Sequence, residues 1–118
     1  MEIHEERRRA PRITARVPIS VTDETTPYAA EAENLSASGV YCTIARFVSP
    51  MTKLELRFEL PDGHAVRCTG VVVRSQPSIN SEDRAVYQLA ILFTELSGDD
   101  RSAINRFVQQ RLATNIVH

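Results

Sequence analysis

The sequence predicts an all-β fold with a terminal helix, a six-stranded antiparallel β-barrel followed by one C-terminal α-helix. Six short segments alternate apolar with polar residues, or run apolar, between clusters of turn-forming residues. Helical spacing of apolar residues occurs once, near the C-terminus. Strands and helices do not alternate along the chain, which argues against a parallel α/β sheet.

The elements follow in order. Ile13, Ala15, Val17, Ile19 and Val21 alternate with Thr14, Arg16, Pro18, Ser20 and Thr22, giving a first strand with one apolar face. Pro18 lacks an amide hydrogen and points to an edge position. Asp23–Pro27 carries turn chemistry, Tyr28–Leu35 is a weaker strand rich in Ala and Glu, and a Ser-Gly turn leads into Val40–Ile44 as its hairpin partner. Lys53–Leu60 is the cleanest strand, with Leu54, Leu56, Phe58 and Leu60 on one face, and Pro61-Asp62-Gly63 ends it in a turn. The fifth strand spans roughly His64–Arg74, where Gly70 marks a bulge at which the in–out phase slips before Val71–Val73.

The sixth strand, Ala85–Phe93, is apolar on both faces. Tyr87, Leu89, Ile91 and Phe93 fill the barrel, while Val86, Ala90 and Leu92 require a second cover. The expected cover is a helix over about residues 98–113. Ser97-Gly98-Asp99-Asp100 reads as an N-cap with acids in the first turn, and Ile104, Phe107, Val108 and Leu112 recur at helical spacing. Residues 13–118 thus form the domain. Residues 1–12, almost without apolar side chains after Ile3, form an arginine-rich arm expected to be flexible.

Composition narrows the function. A chain of 118 residues, 42% hydrophobic and 25% charged, suits one soluble domain with a real core. Met1–Arg16 is dominated by Glu and Arg, and the longest apolar runs, such as Val71–Val73, are too short to span a bilayer. A cytoplasmic protein without membrane insertion is expected. Net charge is −1, but residues 1–16 carry five Arg against three Glu, +2, which leaves −3 for residues 17–118. Basic charge confined to one end argues against a general nucleic-acid binder.

No Ser/His/Asp, Cys/His or paired-carboxylate constellation stands out, so an enzyme is not expected. Cys42 and Cys68 lie in apolar strand patterns and, with three scattered His, make no metal-ligand spacing. They read as buried, reduced core residues, and neither a cofactor nor a metal is expected.

Two short motifs carry binding chemistry. Arg7-Arg8-Arg9-Ala10-Pro11-Arg12 presents planar guanidinium forks suited to phosphate oxygens and to the O6/N7 edge of guanine. Asn34-Leu35-Ser36-Ala37-Ser38-Gly39 sets Asn34 and Ser36 two apart at a strand end, on one face, with Gly39 allowing positive φ and close approach. Each alone also fits a structural role, as a solvated basic terminus and as an ordinary hairpin turn.

Together, Arg8-x-x-x-Arg12, one strand, and then Asn34-x-Ser36-x-x-Gly39 closing the next resemble the signature of the PilZ family. That signature pairs an RxxxR motif, usually preceded by another Arg, with a (D/N)xSxxG motif. The six-strand pattern and terminal helix are similar to the family's barrel over nearly the whole chain. The resemblance implies a receptor for the bacterial second messenger cyclic di-GMP, in which the arm folds over a nucleotide lying against the barrel. By motif position, Arg8 and Arg12 contact guanine and phosphate, Asn34 and Ser36 hydrogen-bond a guanine edge, and Gly39 holds the turn. Arg7 joins them where an intercalated nucleotide dimer binds, and Arg9 faces solvent. The implied output is a surface for a protein effector partner.

The alternative is a PilZ-like protein-interaction scaffold that does not bind nucleotide. A small barrel binding RNA or single-stranded DNA ranks third, opposed by 6% aromatic content without Trp and by the acidic remainder of the chain.

Overall fold

A computed structural model describes residues 13–78 and 86–116. Six strands run antiparallel throughout: β1 (Ile13–Asp23), β2 (Thr26–Ser36), β3 (Gly39–Ile44), β4 (Lys53–Glu59), β5 (Ala65–Pro77) and β6 (Tyr87–Glu95). They close into a barrel in the order β1-β2-β3-β6-β5-β4, and the helix α1 (Gly98–Ile116) follows. The expected fold class is therefore the observed one.

Period-two patterning fills the interior. Val17, Ile19 and Val21 from β1, Leu54, Leu56 and Phe58 from β4, and Leu89 and Ile91 from β6 are all buried. Closure gives β1 two neighbours, but its pairing with β4 begins at Ile19, opposite Phe58. Pro18 sits one residue outside that ladder and pairs with Glu31 of β2 alone. β1 is therefore not an edge strand as expected, and Pro18 is tolerated because it lies just beyond the β4 ladder.

The fifth strand departs from expectation. Val66, Cys68, Gly70 and Val72 are all buried, so the in–out phase runs straight through Gly70. A bulge does fall at Gly70, as expected, but its extra residue belongs to the partner strand, and a second lies at Val73. Thr69 pairs with Glu95 and Gly70 with Phe93, leaving Thr94 of β6 unmatched. Val72 pairs with Ile91 and Arg74 with Ala90, leaving Val73 of β5 unmatched. Gly70 instead answers to space, because a Cβ there would lie 2.6 Å from Ile91 Cγ2 and 2.9 Å from the Leu92 carbonyl oxygen.

The helix does not cover the outer face of β6, where Leu92 remains 48% exposed. It packs against β1, β2 and β5 across one end of the barrel. Ser97 caps it, accepting the Asp100 amide at 3.0 Å. Asp100 reaches His64 Nε2 at 2.8 Å and the Arg67 amide at 3.3 Å, and Arg101 donates to the Ala37 carbonyl at 3.3 Å. Ala103, Ile104, Phe107 and Val108 then enter the core. An open barrel end would wet a whole layer of core side chains, whereas the face of β6 offers one apolar row, so burial favours the end. The β3–β4 connection closes the other end with Val48, backed by Phe47 packed edge-on against Tyr87 at 5.6 Å.

Candidate functional site

The second motif sits where three strands meet. Ala32 pairs with Cys42 and Asn34 with Tyr41, so Glu33 is an extra residue in β2. The bulge resets the phase: Ala32 and Leu35, three apart, both point inward, and Asn34 turns outward. From there two outward rows cross the sheet. One runs Asn34, Tyr41, Ala90 and Arg74. The other runs Ser36, Gly39, Leu92 and Val71.

Ser36, although on this outer row, is 4% exposed, the one buried polar or charged residue among the described residues. Its Oγ lies 3.0 Å from Ser38 Oγ and accepts the Ser38 amide at 3.2 Å. This is a local side-chain-to-backbone bond of the kind that fixes tight turns. The Ser38 carbonyl accepts the Phe93 amide at 3.0 Å and ties the turn to β6.

Gly39 does not use a left-handed conformation, and the described glycine with positive φ is Gly63, at 95°. What Gly39 requires is proximity. A Cβ there would stand 2.3 Å from the Ile91 carbonyl oxygen, a backbone atom that cannot swing away. The expectation of positive φ is thus corrected, and that of close approach is observed.

Sequence reasoning missed three side chains on the same surface. Tyr41 and Arg74 converge above Ala90, with Arg74 Nη1 donating to Tyr41 Oη at 3.3 Å. Leu92 stands half-exposed beside them. Tyr41 was within reach of the pattern, two residues beyond Gly39 on the same face. Arg74 was not, because the bulge at Val73 shifts its phase.

Arg7, Arg8 and Arg12 lie outside the described residues. The first described residue, Ile13, pairs with Leu35, between Asn34 and Ser36. Elsewhere, burial and the nearby Glu33 push the Cys42 thiol up to about 12, and burial and Asp100 push Cys68 up to about 12. Both thiols stay protonated at neutral pH, which suits packing rather than nucleophilic or metal chemistry. Among the described residues no group of three or more His, Cys, Asp or Glu is placed to hold a metal ion. No described helix is long and apolar enough to cross a membrane.

No curated protein matches the chain. Several solved structures share its fold. The inhibitor of motility MotI/DgrA from Bacillus subtilis superposes with a TM-score of 0.81 at 20% identity, covering 92% of this chain. This chain spans 52% of that protein. The PilZ domain of YcgR from Escherichia coli, solved with c-di-GMP, superposes with a TM-score of 0.72 at 12% identity, covering 94% of this chain and 97% of that one. A PilZ domain from CeSA of a cellulose-synthesizing bacterium gives a TM-score of 0.53 at 19% identity, covering 91% of this chain and 98% of that one. The family model for the PilZ domain matches residues 6–110, from the arginine-rich segment through the capping helix, and on that match this chain belongs to the PilZ domain family.

Proposed function

We propose that this protein is a receptor for cyclic di-GMP whose arm, Met1–Arg12, orders over the nucleotide and so presents a composite surface to a partner protein. The observation that carries this reading is the point where the arm joins the barrel. Ile13 pairs with Leu35 and Thr14 with Asn34, so the chain enters beside the second motif. An extended chain reaches at most about 3.5 Å per residue, which keeps Arg12 next to that motif and Arg8 within about 18 Å of Ile13. The tether is short enough for both motifs to serve one ligand. The YcgR structures solved with c-di-GMP share this barrel and lend support.

The division of labour follows from side-chain chemistry. Arg8 and Arg12, with Arg7 beside them, offer charge-assisted forks to a dianionic ligand and to guanine O6/N7. The outward Asn34 amide offers both donor and acceptor to a guanine edge. Ser36 holds the turn that Gly39 presses against β6, and its hydroxyl retains capacity for a further bond. The output is conformational rather than catalytic. Ligand shifts the arm between two states by binding one of them better, and a cytoplasmic site suits that messenger.

Isothermal titration with cyclic di-GMP tests this reading, with Arg8→Ala and Arg12→Ala titrated in parallel. Micromolar or tighter binding by the natural chain is expected, weakened about tenfold or more in each variant, as for loss of roughly one charge-assisted contact. Two nucleotides per chain would assign Arg7 to an intercalated dimer. Absence of heat at every accessible concentration would replace the receptor with the nucleotide-independent scaffold.

A further inference from the structure

The outward rows do not stop at the second motif. Beyond Gly39 and Tyr41 they continue onto β6 and β5, where Ala90 and Leu92 form a low floor and Arg74 forms its far wall. Ala90 carries a single methyl, and the Leu92 side chain is 48% exposed because α1 packs elsewhere. Arg74 is held from the side by the Tyr41 hydroxyl at 3.3 Å. That bond uses one of the five N–H donors of a guanidinium, and no carboxylate pairs with Arg74 among the described residues.

A flat apolar seat bounded by an oriented fork of donors is chemically specific. A purine rests its face on aliphatic carbon, and only guanine then turns two adjacent acceptors, O6 and N7, toward a guanidinium. Adenine replaces O6 with an amino donor and leaves the fork half unpaired. Three inter-strand spacings, about 14 Å, separate Asn34 on β2 from Arg74 on β5. That spacing leaves room for the two groups to address different bases of one ligand.

Resting on the nucleotide reading above, we infer that Tyr41, Arg74, Ala90 and Leu92 form a second guanine seat: Ala90 and Leu92 carry the face of the base, and Arg74, aligned by Tyr41, donates to its O6/N7 edge. Arg74 is a specificity-determining contact and Tyr41 its positioning residue. The seat lies outside both sequence motifs.

The test is calorimetric titration of the full chain with cyclic di-GMP and with 3′,3′-cyclic GMP–AMP, in which one guanine is adenine, for Arg74→Ala, Arg74→Lys, Tyr41→Phe and Leu92→Ser. Arg74→Ala is expected to weaken cyclic di-GMP binding about tenfold and to shrink the preference over the mixed dinucleotide by a similar factor. Arg74→Lys, which keeps the charge but not the fork, is expected to restore little of either. Tyr41→Phe and Leu92→Ser are each expected to cost about threefold, with thermal midpoints unchanged in all four. Natural-strength binding by Arg74→Ala and Leu92→Ser overturns the seat and leaves the receptor standing, as does full rescue of affinity and preference by Arg74→Lys. Failure of the natural chain to bind overturns the receptor reading on which the seat depends.

Discussion

On β3, Val40, Cys42 and Ile44 are 1–3% exposed, while Gly39, Tyr41 and Thr43 between them are half-buried on the outer face. The inner set answers to one demand, filling a narrow barrel with apolar volume. The outer set answers to several. Gly39 makes room for the backbone of β6, Tyr41 holds Arg74, and Thr43 donates to the Glu33 carboxylate. Residues on the inner face are therefore exchangeable within limits of volume, whereas each on the outer face has a task of its own. Substitutions inside should change stability first, and substitutions outside should change binding first.

Gly39 breaks that division and predicts the largest effect. It belongs to the second motif, yet its tight contact is with the backbone of a core strand, 2.3 Å from the Ile91 carbonyl oxygen for an added Cβ. Gly39→Ala is expected to lower unfolding free energy by about 3 kcal/mol, in the range of backbone strain and overpacking, and to abolish nucleotide binding. Gly98→Ala is the control, since nothing stands within 4 Å of an added Cβ there. Urea unfolding of the two variants reads the contrast directly, and equal losses would mean that the close approach of Gly39 to Ile91 costs no stability when a methyl is added.

The same division explains what was legible in the sequence. The barrel was, because a closed antiparallel sheet writes its inner face as a strict period of two, as in Leu54, Leu56, Phe58 and Leu60. The helix was legible from its spacing and its Ser97 cap, but its resting place was not, since nothing local says whether an apolar helix covers a sheet face or a barrel end. Asn34, Ser36 and Gly39 were found as a motif. Arg74 and Leu92 were not, because the bulges at Val73 and Thr94 decide which side chains line up with them, and a bulge leaves no mark on composition.

A smaller, pH-dependent effect belongs to the inner face. Burial raises the Cys42 thiol from 9.0 to about 12. Below pH 9 both folded and unfolded chains keep that proton, so its contribution to stability is complete. Above pH 9 the unfolded chain loses the proton and the folded one does not, so stability falls until about pH 12. The expected slope from Cys42 is about 1.4 kcal/mol per pH unit within that window. Unfolding free energies at pH 8 and pH 10 should differ less in Cys42→Ala than in the natural chain. An identical difference would show that Cys42 is not buried as a thiol.

The smallest effect lies at the capped end and sharpens the comparison most. Asp100 is in the first turn of α1, its side chain 13% exposed, bonded to His64 Nε2 and to the Arg67 amide. Asp99, beside it, is exposed. Both carboxylates face the positive end of the helix dipole, but only Asp100 also clamps the helix to β5. Asp100→Asn is expected to cost about 1 kcal/mol and Asp99→Asn about 0.3 kcal/mol in chemical unfolding. Neither should alter affinity for cyclic di-GMP, because the hydrogen bond from the helix to the Ala37 carbonyl comes from Arg101, not from either Asp. Arg74→Ala should do the opposite, losing affinity at constant stability. If Asp100→Asn weakens nucleotide binding, the helix and the outer face are coupled through the Ala37–Ser38 turn, and the capped end becomes part of the receptor rather than its foundation.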